Sequence, residues 1–140
     1  MINSDDCYKK YGNPDAKNAC MTTWSLPANL LQGKIPKRIF CNKDMITPLT
    51  LAFVNLITSV KVNELKTFDG CFCIREIRGV AGKMSLHSWG VAIDFNASEN
   101  GLGKEPKLSP EFVKCLTDAG FDWGGNFRRK DGMHFQLSKI

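Results

Sequence analysis

The chain contains two histidines, and each lies close in sequence to an aspartate. His87 precedes Asp94 by seven residues, and His134 follows Asp131 by three. Imidazole nitrogen and carboxylate oxygen are both ligands that Zn²⁺ accepts, and three protein ligands leave a fourth position for water, which is the catalytic pattern. These residue types therefore predict a zinc ion bound by His87, Asp94 and His134.

Strand alternation turns two of these ligands away from the core. In the predicted strand 91–96, Asp94 points away from the apolar side chains, which are Val91, Ile93 and Phe95. In the predicted strand 133–137, His134 points away from the apolar side chains Met133, Phe135 and Leu137. If the two strands are neighbours, Asp94 and His134 project into one groove. His87 lies in the loop that enters the first of these strands.

The surrounding elements predict an α+β fold, with a small antiparallel sheet that carries helices on one face and the zinc groove on the other. Three helices are predicted, at 4–11 (capped by Ser4 and stopped by Gly12), at 48–60 (beginning at Pro48) and at 110–119 (capped by Ser109). A further strand is predicted at 71–75 because apolar and β-prone residues follow one another there.

The whole chain, residues 1–140, is interpreted as one domain. Prolines and glycines interrupt regular spacing in residues 1–40, which are predicted to form an irregular N-terminal wrap over the core. Residues 68–137 are the core that carries the motifs. Of the six cysteines most are interpreted as small buried hydrophobic residues, and a disulfide between Cys7 and Cys20 is left open.

Composition and charge favour a soluble protein that binds neither nucleic acid nor membrane. The net charge is +5, but the basic residues are scattered and no aromatic-interleaved RNA motif is present. No apolar run approaches the roughly 18–20 residues that span a bilayer. The first residues, MINSDDCYKKYG, are polar and do not resemble a Sec-type signal peptide. If the protein acts outside the cytoplasm, another factor must therefore carry it there.

Two segments resemble motifs of one zinc peptidase family. Residues 85–94, SLHSWGVAID, resemble the SxHxxGxAxD motif, and residues 131–134, DGMH, resemble the DxxH motif. The family comprises the D-alanyl-D-alanine carboxypeptidases and dipeptidases and the L-alanyl-D-glutamate endopeptidases, including many phage endolysins, and it has a hedgehog-like fold. The resemblance covers about residues 68–137.

The resemblance implies a role for each matching residue. It makes His87, Asp94 and His134 the zinc ligands and Asp131 the general base, and it assigns substrate binding and oxyanion stabilisation to Arg75. Arg78 is near enough in sequence to take the place of Arg75. Three further residues belong to the motifs or resemble the loop beside the cleft, and they are expected to support the site or the substrate: Ser85, Trp89 and Trp123.

The resemblance also implies hydrolysis of a peptide bond in the stem peptides of bacterial peptidoglycan. We expect a monomeric phage endolysin of the L-alanyl-D-glutamate endopeptidase type, which waits in the host cytoplasm and acts on the cell wall after release. A D-alanyl-D-alanine carboxypeptidase is the alternative within the enzyme class. Outside it, a non-catalytic zinc-stabilised module that binds the cell wall stays open. A further alternative is a phage structural part, such as a tail-tip component with local lysin activity.

Overall fold

Three α-helices and five short β-strands make up the computed structural model, which describes residues 1–140. In chain order they are α1 (Ser4–Tyr11), β1 (Met21–Ser25), β2 (Arg38–Asn42), α2 (Ile46–Thr58), β3 (Ala92–Asp94), α3 (Pro110–Thr117), β4 (Phe121–Trp123) and β5 (His134–Leu137). Short 3-10 turns join several of them, and one of these, Leu86–Trp89, carries a candidate ligand. The predicted α+β class is confirmed.

The sheet that positions the site has three antiparallel strands in the order β3-β5-β4. Asp94 lies directly opposite His134 in the register of β3 with β5, so the two predicted strands are neighbours. On the other face, the ring of Phe95 contacts Phe53 of α2 and Phe112 of α3, each at a centroid distance of 6.3 Å. The helices therefore pack on the apolar face, and the candidate ligands project from the opposite one.

Local sequence explains why α3 forms where it does. The Ser109 side chain accepts a hydrogen bond from the Phe112 amide at 3.1 Å, and Pro110 occupies the first helical position, where its missing N–H costs nothing. Phe112 and Leu116 are fully buried against the sheet. None of the three α-helices combines the length and the hydrophobicity that a membrane-spanning helix requires.

The helix predicted from Pro48 to Val60 is shifted. Asn42 caps a 3-10 turn at Lys43–Met45, which leads directly into α2, so the helix begins at Ile46 rather than at Pro48. Val60 lies beyond its end, with 65% of its surface exposed and a φ of +62°, and so it does not belong to the apolar face. The conformation of this β-branched residue is strained.

The N-terminal region is more regular than predicted. The cap of α1 is Asn3 rather than Ser4, because the Asn3 and Asp6 side chains each accept the other's amide in a capping box. Within the predicted irregular wrap, β1 and β2 pair antiparallel over five residues each. The prolines and glycines that interrupt the sequence pattern lie between and around these strands and leave the ladder itself intact.

Residues 71–75 do not form the predicted strand, and Cys71 lies in a bend. They lie beside the 3-10 turn Leu86–Trp89, where the Cys73 amide donates a hydrogen bond to the His87 carbonyl at 3.1 Å. Because a 3-10 turn is not an extended strand, it cannot form a continuous β-ladder with this segment. The sheet instead contains β4 (Phe121–Trp123), a strand absent from the prediction. Its three residues are too few for an alternation pattern to stand out.

All six cysteines are free thiols, so the disulfide considered between Cys7 and Cys20 is not formed. Cys7 lies on the buried face of α1, whereas Cys73 is exposed. The two ends of the chain lie side by side. Met1 and Ile2 line the same surface pocket as Lys139 and Ile140.

Candidate metal centre and active-site cleft

Three side chains converge on one buried point. His87 comes from the 3-10 turn Leu86–Trp89, Asp94 ends β3 and His134 begins β5. Asp94 Oδ1 lies 3.2 Å from His87 Nε2 and 3.3 Å from His134 Nδ1, and all three ligand atoms lie within 4.8 Å of one another. Tetrahedral coordination with bonds of about 2.0–2.2 Å separates neighbouring donor atoms by about 3.3–3.6 Å. The spacing therefore suits a single metal ion.

The polar atoms at this point lack other partners. His87 Nε2 and Asp94 Oδ1 are fully enclosed, and neither makes a hydrogen bond of acceptable geometry. His87, Asp94 and His134 are only 3%, 9% and 7% exposed. An unsatisfied buried polar atom costs about 1–3 kcal/mol, and a cation among the three would remove that cost. The residues present thus fit a metal ion.

The charges at this point also suit a cation. Burial alone would raise the pKa of the Asp94 carboxyl, but the His134 and His87 imidazoles outweigh it and hold that pKa well below its usual range. Burial acts to lower the pKa of His134, and the Asp94 and Asp131 carboxylates outweigh it, so that pKa is raised. Asp94 is therefore anionic at any physiological pH and is ready to bind a cation.

Both imidazole rings are oriented by their second nitrogen. His87 Nδ1 lies 2.7 Å from the Cys71 carbonyl oxygen, and His134 Nε2 lies 3.0 Å from Gln136 Oε1. Because each oxygen accepts a hydrogen bond, the ring nitrogen beside it carries the proton. The other ring nitrogen then directs its lone pair toward the candidate metal site. Gln136 has no role in the sequence prediction, although it shares a strand face with His134.

Asp131 lies at the edge of the ligand set, with Oδ2 4.0 Å from His134 Nδ1 and 26% of its side chain exposed. Burial raises its pKa, with a further contribution from the negative charge of Asp94, while the nearby His134 opposes the shift. A bound divalent cation would favour the ionised carboxylate. Asp131 thus lies within reach of a water molecule at the candidate metal site. It is not one of the three candidate ligands, and its side chain stays partly exposed.

The turn that carries Asp131 rests on the predicted Trp123 loop. Trp123 Nε1 donates to the Gly132 carbonyl at 2.8 Å, and the Asp131 amide donates to the Gly124 carbonyl at 2.8 Å. A Cβ atom at Gly124 would overlap the Asp131 carbonyl, and one at Gly125 would overlap the Trp123 ring. The two glycines and the tryptophan therefore hold the Asp131 turn in place.

Arg75 and Arg78 both line the cleft, and the charge of Arg75 acts on the neighbouring Asp131 carboxyl. A third arginine, Arg129, joins them, and its guanidinium donates to the Arg78 carbonyl. None of the three takes part in a salt bridge. Arg129 was missed at the sequence level because no motif includes it. The cleft therefore presents three guanidinium groups without an acidic partner.

Two other predicted site residues, Ser85 and Trp89, support the turn that carries His87, and Ser85 also lines the cleft. Ser85 Oγ accepts the His87 amide at 3.3 Å and so caps the Leu86–Trp89 turn. Trp89 lies outside the cleft, where Nε1 donates to the Gly12 carbonyl at 2.8 Å and the ring packs on the edge of Tyr8. Ser88, absent from the prediction, is fully buried, and its hydroxyl accepts the Arg75 amide at 3.1 Å.

A cleft of about 700 Å³ opens over the ligands. Residues from three parts of the chain line it. The first part contributes Asp69, Arg75, Ile77, Arg78, Ser85 and Leu86, the second Ala97, Ser98, Gly101 and Leu102, and the third Phe127, Arg129, Asp131 and Met133. Clefts of about 300–1,000 Å³ hold small-molecule ligands, and short peptide segments are of that size. Arg75, Asp131 and the candidate metal ligands Asp94 and His134 share this one space.

Comparison with protein families gives one match. Residues 78–137 match the family model described as D-alanyl-D-alanine carboxypeptidase, a segment a little under half of the chain. No curated protein and no solved structure gives a significant match. The matched segment contains His87, Asp94, Asp131 and His134, the same residues that converge at the metal point. Over this segment the chain is therefore similar to the D-alanyl-D-alanine carboxypeptidase family, and the residues that converge there are those of a metallopeptidase site.

Proposed function

We propose that the protein is a zinc peptidase of the phage endolysin type that cuts the L-alanyl-D-glutamate bond in peptidoglycan stem peptides. The observation that carries this proposal is the convergence of His87, Asp94 and His134, with Asp131 beside them, in a cleft that also contains unpaired arginines. A purely structural metal site has no need of the extra carboxylate or of the cleft. A D-alanyl-D-alanine carboxypeptidase is the second candidate, favoured by the description of the matching family.

Zinc is the metal that this donor set favours. Two imidazoles and one carboxylate, with neighbouring donor atoms 3.2–3.3 Å apart, suit tetrahedral Zn²⁺ with one position left for water. Hard cations such as Mg²⁺ and Ca²⁺ prefer sites built only from oxygen. Metal analysis of the purified protein, with one equivalent of zinc expected, checks this assignment.

The residues of the chain divide the work of peptide hydrolysis. Zinc, when bound, would acidify a water molecule and polarise the scissile carbonyl. Asp131 would accept the proton of the attacking water and later return it to the leaving amine. Arg75 would offset the negative charge that develops on the carbonyl oxygen. The Cys71 carbonyl and Gln136 hold the two imidazoles in the orientation that this arrangement requires.

The choice between the two substrate bonds rests on the shape of the cleft and on its charges. A cleft lined by three separate segments suits a peptide that continues on both sides of the cut bond, as an endopeptidase requires. Unpaired guanidinium groups suit a substrate with free carboxylates, which both candidate substrates carry. The shape of the cleft therefore favours the endopeptidase, whereas its charges do not distinguish the two substrates.

Mass spectrometry of digested peptidoglycan tests the proposal directly. Purified cell walls would be incubated with the zinc-loaded protein, and the soluble fragments would be analysed for new ends. New N-terminal D-glutamate supports the endopeptidase, whereas loss of terminal D-alanine alone supports the carboxypeptidase. The chelator-treated protein is the control, and walls left intact by the zinc-loaded protein would contradict both.

We further propose that the protein acts as a monomer and stays in the host cytoplasm until the membrane is breached. One chain supplies every residue of the site, which supports the first point. The second follows from the endolysin type itself, because a cell-wall enzyme made in the cytoplasm needs a membrane lesion to reach its substrate.

A further inference from the structure

Asp69 places a third carboxylate on the cleft wall, in addition to those of Asp94 and Asp131. Phe68 pairs with Phe95 in an isolated antiparallel bridge, and the Asp69 amide donates to the Asp94 carbonyl at 2.9 Å. Residues opposite one another on antiparallel segments project to the same side. Phe68 and Phe95 face the core, whereas Asp69 and Asp94 both line the cleft.

The Asp69 carboxylate is held in place by one of its two oxygens. Oδ2 accepts the Thr67 hydroxyl at 2.7 Å and the Ala97 amide at 2.8 Å. Oδ1 accepts no hydrogen bond from the protein, and no lysine or arginine pairs with the side chain. A negative charge with a fixed position and one free oxygen therefore faces the cleft.

The cleft thus presents charges of both signs that do not neutralise each other. Arg75, Arg78 and Arg129 supply the positive charges, and Asp69 forms a salt bridge with none of them. Asp94 differs from Asp69 because its charge is directed at the metal point between two imidazoles. A substrate that satisfies this cleft carries carboxylates for the arginines and a cation for Asp69.

We propose that Asp69 binds an ammonium group of the substrate, so that the preferred stem peptide carries a free side-chain amine on its diamino acid. This inference rests on the proposed function, because it concerns the peptide bound over the same metal site. It distinguishes uncross-linked stem peptides, whose amine is free and charged, from those in which the amine is acylated.

A structural role is the alternative explanation of Asp69, because its Oδ2 ties Thr67 to the turn at Ala97–Glu99. The variant Asp69→Asn separates the two explanations. The amide oxygen of asparagine can accept the same two hydrogen bonds, while its NH₂ group replaces the free Oδ1. The turn is then retained and only the charge is lost.

The test compares two synthetic stem peptides, L-Ala–γ-D-Glu–L-Lys–D-Ala and the same peptide with an acetylated lysine amine. Cleavage at any bond would be followed by mass spectrometry, and kcat/KM would be measured at low and high salt. We expect the wild-type protein to prefer the free amine by about fivefold, which corresponds to about 1 kcal/mol for an exposed ion pair. This preference should shrink as salt screens the pair.

The variants decide the outcome. In Asp69→Asn the ratio of the two kcat/KM values should fall to about one. The matched control is Asp15→Asn, which removes the same charge from an exposed carboxylate that also accepts a backbone amide but lies outside the cleft, and its ratio should stay near the wild-type value. No preference in the wild-type protein, or a preference retained in Asp69→Asn, overturns the inference. Cleavage of neither peptide by the wild-type protein refutes the proposed function, and the inference with it.

Discussion

In the proposed mechanism, metal binding and proton transfer belong to different side chains. His134 is one of the three candidate ligands. Asp131 is not among them, and its Oδ2 lies 4.0 Å from His134 Nδ1. Asp131→Ala should therefore keep its zinc and lose hydrolysis by about 100-fold or more, because a positioned general base contributes about 10²–10⁴ in rate. His134→Ala should lose both. Zinc content and muropeptide release, measured on the same preparations, check this pair, and full activity in Asp131→Ala would remove the assignment.

Gln136 would act on a bound metal ion through His134. Its Oε1 accepts the Nε2–H of His134 at 3.0 Å and so fixes which nitrogen faces the ligand set. Gln136→Leu removes that acceptor and should weaken zinc binding by about tenfold, because groups that orient metal ligands typically contribute 10–100-fold. Gln136→Glu keeps an acceptor oxygen and should bind zinc more tightly than Gln136→Leu. Competition with a chromophoric chelator measures both affinities, and equal affinity in Gln136→Leu and the wild type would show that the ring needs no such partner.

At the level of elements, the sequence reveals those parts of the site that lie within regular local patterns. Asp94 and His134 could be placed opposite the core because strand alternation is read over a few neighbouring residues. Ser109 could likewise be recognised as a cap for α3. These predictions depend on contacts within about one turn of helix or one strand, which is the range over which sequence patterns act.

The parts of the site that were missed depend on contacts between distant segments. The Ser88 hydroxyl reaches Arg75 from thirteen residues away, and Arg129 reaches the Arg78 carbonyl from 51 residues away. Asp69 gains its place on the cleft wall only when its segment lies beside Asp94. Sequence periodicity does not reveal such contacts. The same applies to residues 71–75, which form hydrogen bonds with a 3-10 turn and not with a strand.

Gly90 couples the turn that carries His87 to the N-terminal strand pair. It has a φ of +65°, and a Cβ atom there would lie 2.7 Å from the Asn42 amide nitrogen of β2. Gly90→Ala should lower the free energy of unfolding by about 2–4 kcal/mol, because a left-handed alanine costs about 1–2 kcal/mol and the overlap adds to it.

The matched control for Gly90→Ala is Gly82→Ala. Gly82 has a φ of +79° with no atom within 4 Å of the added Cβ, so this variant bears the conformational cost alone, about 1–2 kcal/mol. Urea unfolding of the two variants measures the difference. Equal destabilisation would show that β2 moves aside without cost.

For the whole molecule, metal binding should be a source of stability. The enclosed His87 Nε2 and Asp94 Oδ1 have no other partner, so an ion that binds only the folded state stabilises it. Zinc at about a thousandfold excess over its Kd contributes about 4 kcal/mol. Chelation should accordingly lower Tm by roughly 10 °C. Calorimetry with and without chelator tests this, with His134→Ala as the protein whose Tm should not respond, and an unchanged Tm in the wild type would contradict it.

The neighbouring ends of the chain make this domain suitable for circular permutation. Met1 and Ile2 share a surface pocket with Lys139 and Ile140, so a short flexible linker can join the two ends without crossing the cleft. New ends are best opened at Val60, which is 65% exposed and adopts a strained left-handed conformation that cutting the chain would release. In such a permutant the segments that bear the metal ligands would precede α1 in the chain, while each kept its place around the cleft.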